Sequence, residues 1–295
     1  RDAREDLSTI LRKGINDNPK MSPIKSSRIS TKDVQFGAFT NGITGVSKAI
    51  MRLTKLEQFF IANSPIRSDG FFVEVKPDSP YYEEQDEWKW ENMTTLTDIE
   101  IYNCRYLETL PVKMLKNLPE LVSLNVARNP GIYAEDRDVL RENWEEIIGE
   151  DSKCADKIQL LYLGYNKLKG FPKSDLLKKM KKLSLLDCTD NEIETLNAFG
   201  KEVKLMKVYL DNNKIKEIPG IEENGLKYFF GWNDLETFSC TNNLLTKVPN
   251  IFNAKSDFVM GTVDFSNNQI DGFEDGENHR GINASTVNLH HNKFT

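Results

Sequence analysis

At 295 residues the chain is longer than an ordinary globular domain, and its formal net charge of −6 argues against a surface for nucleic acid or anionic membranes. No run of about 18 apolar residues exists, so the sequence predicts no membrane-spanning helix. Four cysteines are too few for a small secreted domain held together by disulfides. The organisation of the chain therefore has to be found in its sequence pattern.

The N-terminal region differs from the rest of the chain. Residues 5–15 have the pattern of one short helix, and the stretch to Thr31, with Pro19 and Pro23, is typical of a linker. Residues 35–55 lead into a short helix that Ser47 would cap, which indicates a half-repeat closing the end of the coil. We assign residues 1–42 to an N-terminal helix, linker and cap, and residues 43–295 to a repeat domain.

An eleven-residue phrase close to L-x-x-L-x-L-x-x-N-x-L returns nine times in the repeat domain. One clear copy is Leu205–Val208–Leu210–Asn213–Ile215. The ninth position is held in turn by Ser64, Cys104, Asn129, Asn166, Asn191, Asn213, Asn243, Asn268 and Asn292. A fixed period of this kind predicts a solenoid in which each repeat buries its apolar face against its neighbours.

Positions four and six of the phrase have the period of a β-strand and should point to one buried face. Strands are therefore predicted around residues 60, 100, 125, 162, 187, 209, 239, 264 and 288. The side chains expected to be buried are Leu161, Leu163, Leu186, Val208, Leu210, Phe238, Val263, Phe265 and Leu289. The Asn at position nine can donate and accept, so we expect it to be buried and bonded to the turn backbone.

Three insertions lengthen individual repeats. Residues 68–92 are acidic and aromatic, and residues around 222–234 carry Tyr228, Phe229, Phe230 and Trp232. Within 135–148 the apolar residues recur at helical spacing, which predicts an amphipathic helix on the convex side.

The phrase resembles the leucine-rich repeat, and the resemblance covers about residues 43–295. It implies an α/β solenoid, a right-handed horseshoe with a parallel concave β-sheet and about nine repeats. The segments WENMTTLTD (90–98), LLYLGYN (160–166) and VPNIFNAKS (248–256) resemble secreted or surface-anchored leucine-rich-repeat proteins of Bacteroides-like bacteria. This narrower resemblance implies a secreted or cell-surface location, with a cytoplasmic location left open.

The sequence contains no G-x-x-x-x-G-K-[ST], H-E-x-x-H or G-x-S-x-G motif. Cys188 and Cys240 occupy inward strand positions, so their thiols are interpreted as small buried hydrophobes. His290 and His291 are adjacent at a strand end, where side chains tend to diverge, which is poor geometry for one metal ion. We expect no enzyme activity, no cofactor and no metal site.

The residue between the two inward positions of each strand should face the concave wall, about 5 Å from its neighbour in the next coil. Among these residues and those that end the strands, Tyr102, Tyr162 and Tyr209 lie near carboxylates. The predicted ligand-binding patch is Glu100, Tyr102, Tyr162, Asp187, Tyr209 and Asp211. Its composition favours a basic protein segment or a carbohydrate.

The leading functional hypothesis is a non-enzymatic binding module that recognises a protein or glycan through its concave face, without binding nucleic acid or inserting into a membrane. The alternative is a sensory or regulatory region of a larger protein whose effector domain lies elsewhere. The chain starts at Arg1 without a Met and stops just after the Asn of the ninth phrase, so we expect further chain.

Overall fold

The structure is a computed structural model that describes residues 35–39, 42–74, 76–79, 82, 85–223, 226–231, 234–250, 259–274 and 282–294. The helix predicted at 5–15 and the linker after it lie outside these residues. The described strands are β1 (Gln35–Phe39), β2 (Val46–Ser47), β3 (Gln58–Ala62), β4 (Phe71–Val73), β5 (Asp98–Tyr102), β6 (Ser123–Asn125), β7 (Leu160–Tyr162), β8 (Leu185–Asp187), β9 (Lys207–Tyr209), β10 (Ile221–Glu223), β11 (Leu226–Tyr228), β12 (Thr237–Ser239), β13 (Lys247–Val248), β14 (Met260–Asp264), β15 (Gly272–Phe273) and β16 (Ala284–Asn288).

One parallel sheet of ten strands runs through the molecule in the order β1-β3-β5-β6-β7-β8-β9-β12-β14-β16. Its pairs are all parallel, and successive phrases of the repeat are in register. The nine predicted strands are confirmed. The sheet also contains β1, which pairs with β3 and lies before the boundary predicted at residue 43. Part of the region assigned to the cap is therefore a strand of the sheet.

The inward side chains of the strands form one continuous apolar core. In β6, β7, β8, β9 and β12 the central residue is buried and its two neighbours are half-buried, as expected when alternate side chains point to opposite faces. Leu163, Leu210 and Phe265 at position six are also buried. Leu289 is a correction, because it is only partly buried. It lies in the last coil of the described chain, where no further described coil covers it.

The Asn side chains at position nine connect neighbouring coils, as predicted. Asn213 is 8% exposed, and its Nδ2 donates to the backbone oxygens of Leu210 and, in the preceding coil, Cys188, both at 3.0 Å. Its Oδ1 accepts from the Ile193 amide at 3.0 Å. The same type of network is formed by Asn129, Asn166, Asn191, Asn243 and Asn268. Each amide satisfies backbone groups that would otherwise be buried without partners.

A left-handed backbone residue precedes position nine in every coil, a feature that the sequence analysis missed. These residues are Asn63, Asn103, Arg128, Tyr165, Asp190, Asn212, Asn242, Asn267 and His291. Asn and Asp tolerate positive φ better than other non-glycine residues. Arg128 and Tyr165 do not share that preference, so the repeat imposes the turn at those two positions.

The convex side carries short helices: α1 (Val112–Leu115), α2 (Val139–Ile147) and α3 (Ser174–Leu177), with 3-10 helices at Lys48–Arg52, Ser68–Gly70, Gln85–Glu87 and Trp90–Asn92. The Ser47 Oγ accepts from the Ala49 amide, which confirms the predicted cap. The predicted amphipathic helix is confirmed as α2, which buries Leu140, Trp144 and Ile147.

Asp138 caps α2 and also fixes it to the next coil. Its Oδ1 accepts from the Arg141 amide at 3.2 Å, while its Oδ2 accepts from the amides of Lys169 at 2.8 Å and Gly170 at 2.9 Å. Burial raises the pKa of the Asp138 carboxyl, although these three N–H groups act in the opposite direction. The carboxylate therefore holds the inserted helix against the repeat that follows it.

Aromatic rings fill the core behind the second half of the sheet. Trp144, Phe171, Phe199 and Phe229 follow one another with ring centroids 5.3–6.1 Å apart. The antiparallel pair β10–β11 lies outside the main sheet and overlaps the insertion at 222–234, which contributes the buried Phe229 and Phe230 to this core. Two of the insertion's aromatic residues therefore have a structural role.

Candidate functional site

The concave face of the sheet places three predicted site residues in one row. Tyr162 pairs in register with Asp187, and Asp187 pairs with Tyr209, so the residues occupy equivalent positions on β7, β8 and β9. All three side chains are half-buried. Because adjacent strands lie about 4.8 Å apart, the two tyrosines are separated by about 10 Å at their Cα atoms, with the carboxylate between them.

Glu100 and Tyr102 lie on β5, two strands away from Tyr162. Glu100 is in register with Asn125 and, through it, with Tyr162, and its Oε2 accepts from the Asn125 side chain at 3.3 Å. Tyr102 ends β5, and the equivalent residues of the next two coils are Ala127 and Gly164. Ala127 and Gly164 are both buried, and a Cβ atom at Gly164 would lie 3.1 Å from the Thr189 carbonyl oxygen and 3.4 Å from the Asp187 Oδ1.

The carboxylates of the patch also have structural partners, which the sequence analysis did not anticipate. The Asp187 Oδ1 accepts from the Thr189 amide at 2.9 Å. The Asp211 Oδ1 accepts from the Ser239 hydroxyl at 2.6 Å and from the Thr241 amide at 2.7 Å. One oxygen of each carboxylate therefore stabilises the end of a strand. These bonds also fix the direction in which the carboxylates point.

A second row on the same strands is formed by Leu160, Leu185 and Lys207, which are in register with one another and half-buried. The Lys207 Nζ lies 3.3 Å from the Oε2 of Glu236, an exposed residue of the next coil. The row of Tyr162, Asp187 and Tyr209 is therefore bordered by two leucines and by a lysine that already has an acidic partner.

The cysteines behind the sheet are not placed for nucleophilic chemistry. Cys188 and Cys240 are fully buried, and burial raises the pKa of both thiols well above 9.0, with a further increase from Asp187 and Asp211 respectively. Nucleophilic cysteines need the thiolate form. Both groups are therefore neutral core residues, as the sequence predicted.

The prediction that His290 and His291 diverge was wrong. Their ring centroids lie 4.7 Å apart in an edge-to-face arrangement, because His291 adopts a left-handed backbone conformation that turns its side chain towards its neighbour. Within the described ranges, no three His, Cys, Asp or Glu side chains are grouped so that they could hold a metal ion. In the same ranges, no helix combines the length and apolar character needed to cross a membrane.

The parallel sheet, the Asn network and the repeat spacing together define a leucine-rich-repeat solenoid. Solenoids of this kind present extended concave surfaces to their ligands, so the fold indicates a protein-interaction module. Neither the fold nor the similar proteins described next give evidence of an enzyme.

The chain is similar to two leucine-rich repeat proteins of known structure from Bacteroides. It is 45% identical to one from Bacteroides thetaiotaomicron, with a TM-score of 0.75 over 99% of this chain and 34% of that protein. It is 41% identical to one from Bacteroides eggerthii, with a TM-score of 0.76 over 100% of this chain and 48% of that protein. The chain thus spans between a third and a half of these relatives.

The chain is also similar to a human protein over part of its length. Human lumican is 29% identical over 184 residues, which cover 58% of this chain and 52% of lumican. No protein-family model matches the chain. The resemblance to leucine-rich repeat proteins of Bacteroides, stated from three sequence segments, is therefore confirmed by the solved structures.

Proposed function

We propose that this protein is a non-enzymatic binding module that recognises a basic segment of another protein through its concave face. The observation that carries the proposal is the row of Tyr162, Asp187 and Tyr209 on three neighbouring strands. The row combines two aromatic rings with one carboxylate whose orientation is fixed by the Thr189 amide. A carbohydrate is the other ligand that this composition suits.

The spacing of this row fits a lysine or arginine side chain. Two tyrosine side chains rooted about 10 Å apart leave room for a cation between their rings, and cation–π attraction acts within about 6 Å of a ring centroid. Asp187 lies beneath that position and supplies the opposite charge. A partner's basic side chain inserted here would therefore contact both rings and one oxygen of the carboxylate.

The rest of the patch suits an extended peptide that crosses the strands. Leu160 and Leu185, which are half-buried, offer apolar contact on one side of the row. Glu100, Tyr102 and Asp211 flank the two ends. Aromatic anchors surrounded by polar groups are the arrangement that concentrates binding energy in protein interfaces.

The proposal is tested by selecting a library of short random peptides on the wild-type protein. Lysine and arginine should be enriched among the binders. The double variant Tyr162→Ala/Tyr209→Ala should bind the selected peptides at least ~10-fold more weakly, since both anchors are lost. Affinity should also fall between about 0.1 M and about 1 M salt, where the Debye length shortens from ~10 Å to ~3 Å.

The matched control removes two tyrosines outside the concave face, Tyr106→Ala/Tyr133→Ala, and should bind the selected lysine- and arginine-containing peptides as the wild type does. Circular dichroism should show that both variants are folded, because none of these rings belongs to the core. If the concave variant is folded and keeps its affinity, the concave site is wrong, and the aromatic insertion at 81–90 becomes the next position to test. Enrichment of glycans on an array, without basic peptides, would favour the carbohydrate ligand.

A second candidate function is a sensory or regulatory region of a larger protein. The observation that favours it is the length of the similar Bacteroides proteins, of which this chain spans 34% and 48%. The complete gene distinguishes the two: a lipoprotein signal favours a surface binder, and a fused GTPase or kinase favours the regulatory role. We propose a secreted or cell-surface location on the resemblance alone, to be tested by cell fractionation.

A further inference from the structure

A second surface lies outside the concave face, at the edge of the sheet where β5, β6 and β7 end. The turns that follow these strands carry exposed tyrosines beside basic side chains. We define the cation–tyrosine patch as Arg105, Tyr106, Arg128, Tyr133, Tyr165 and Lys169. Tyr106, Tyr133 and Tyr165 are 45%, 49% and 43% exposed, so each presents nearly half of its surface to solvent.

Each ring of the patch is paired with a cation. The Arg128 guanidinium lies 3.9 Å from the centroid of the Tyr165 ring, the Arg105 guanidinium 5.4 Å from that of Tyr106, and the Lys169 Nζ 5.4 Å from that of Tyr133. All three separations are within the range of cation–π attraction. The contacts reduce the freedom of long side chains before any ligand arrives, which lowers the entropic cost of binding.

The patch is continuous across three coils. Arg128 follows β6 and stacks on Tyr165, which follows β7, while Lys169 of the β7 coil reaches back to Tyr133 of the β6 coil. The β5 coil is in direct contact as well, because a Cβ atom at Gly131 would lie only 2.4 Å from the Arg105 carbonyl oxygen. Residue 131 therefore has to be a glycine for the turns that carry Arg105 and Tyr133 to pack so closely.

The positive charges of the patch have no carboxylate partner in the described part of the chain. No described side chain forms an ion pair with Arg105, Arg128 or Lys169. Several other lysines of the repeats, in contrast, are paired with a glutamate or an aspartate. Among the described residues, the Lys169 Nζ donates to the backbone oxygens of Ala134 and Glu135. The chain as a whole carries a net charge of −6, so these three cations without a described ion pair stand out from an acidic background.

We infer that the cation–tyrosine patch binds an acidic segment of a partner protein. A guanidinium stacked on a ring keeps its N–H groups free at its rim, where they can bind a carboxylate through two parallel hydrogen bonds. The tyrosine rings supply flat contact area, and Tyr and Arg are the residues that concentrate binding energy at interfaces. Aspartate or glutamate side chains of the partner would bind at Arg128 and Arg105, with apolar parts of the segment against the rings.

This surface is distinct from the concave row in both position and polarity. The concave row surrounds a carboxylate and suits a basic ligand, whereas the patch presents cations and suits an acidic one. The concave row lies on β7, β8 and β9, whereas the patch lies in the turns that follow β5, β6 and β7. The inference therefore does not depend on the proposed function of the concave face.

The test uses the same random peptide library, selected on the wild type and depleted on the double variant Arg105→Gln/Arg128→Gln. Peptides that survive depletion should be enriched in aspartate and glutamate. In isothermal titration they should bind the double variant at least ~10-fold more weakly, as expected when charge-assisted hydrogen bonds are lost. Tyr165→Ala should also weaken binding, because it removes the ring that orients Arg128.

The matched control is Lys181→Gln/Lys216→Gln, which removes the same charge from exposed positions outside the patch and should leave affinity unchanged. The variant Tyr162→Ala/Tyr209→Ala should bind the acidic peptides normally, so failure of the concave site and failure of the patch are distinguishable. The inference is overturned if acidic residues are not enriched, or if the selected peptides bind Arg105→Gln/Arg128→Gln and the wild type equally. Arginine-dependent retention on heparin without acidic peptide binding would overturn it in favour of a sulfated glycan.

Discussion

Replacing Asn213 by alanine tests how the Asn network stabilises the solenoid. The change removes one acceptor and one donor group from the coil interior. The carbonyl oxygens that lose the Asn213 amide each keep another donor: Leu210 O also accepts from Asn243, Cys188 O from Asn191 and Asp211 O from the Asp190 amide. Only the Ile193 amide is left without its partner. One buried unsatisfied N–H costs about 1–3 kcal/mol, which is the destabilisation we expect for Asn213→Ala.

The shared carbonyl makes a sharper prediction for a double variant. In Asn213→Ala/Asn243→Ala the Leu210 oxygen loses both side-chain donors, and the amides of Ile193 and Ile215 lose their acceptor. The double variant should therefore lose more unfolding free energy than the two single variants lose together. The difference should be about 1 kcal/mol, within the range seen for groups in one network. Asn166 shares no partner with Asn213, so Asn166→Ala/Asn213→Ala should be additive.

Urea unfolding followed by circular dichroism measures these differences. The free energies of unfolding can be compared only if they fall with urea concentration at the same slope in all variants. A changed slope would indicate that a different part of the protein unfolds in the transition. If the Asn213 and Asn243 changes add within ~0.5 kcal/mol, the shared carbonyl has no energetic role and the reasoning is wrong. The reasoning is also wrong if Asn166→Ala/Asn213→Ala deviates from additivity as much as Asn213→Ala/Asn243→Ala does.

Two further predictions concern side chains on the convex side. Asp138→Ala should destabilise the protein by roughly 2–4 kcal/mol, because it removes a helix cap and the acceptor of the buried Gly170 amide. Asp138→Asn should destabilise the protein less. An unchanged melting temperature in the alanine variant would contradict this role of Asp138. Burial raises the pKa of the Cys154 thiol from 9.0 to about 11. Between these values the unfolded chain loses a proton that the folded protein keeps, so the free energy of unfolding should fall as pH rises. Cys154→Ala should make that fall shallower, and identical pH profiles for variant and wild type would show that the thiol does not contribute.

The repeat phrase was sufficient to predict most of the sheet. Residues such as Val208, Leu210 and Asn213 occur at spacings that only a stacked parallel strand and its turn explain, and the same phrase returns in every coil. The helix at Val139–Ile147 was also predictable, because its apolar residues recur at the helical period within a few residues of one another. The tyrosines and carboxylates of the concave row could be placed on one face for the same reason, since alternation along a strand is a local rule. Whether this row binds a ligand stays a prediction.

Contacts between coils depended on the tertiary structure. Asp138 reaches Lys169 and Gly170, more than thirty residues away, because of the length of an insertion that no local pattern fixes. The stack of Arg128 on Tyr165 joins residues 37 positions apart in separate turns, and the left-handed conformation at both positions is imposed by the repeat rather than by residue type. The sequence by itself determines the period and the faces of each coil, since these follow from neighbouring residues. Only the stacking of coils of unequal length decides which turn residues meet, and that stacking creates the cation–tyrosine patch.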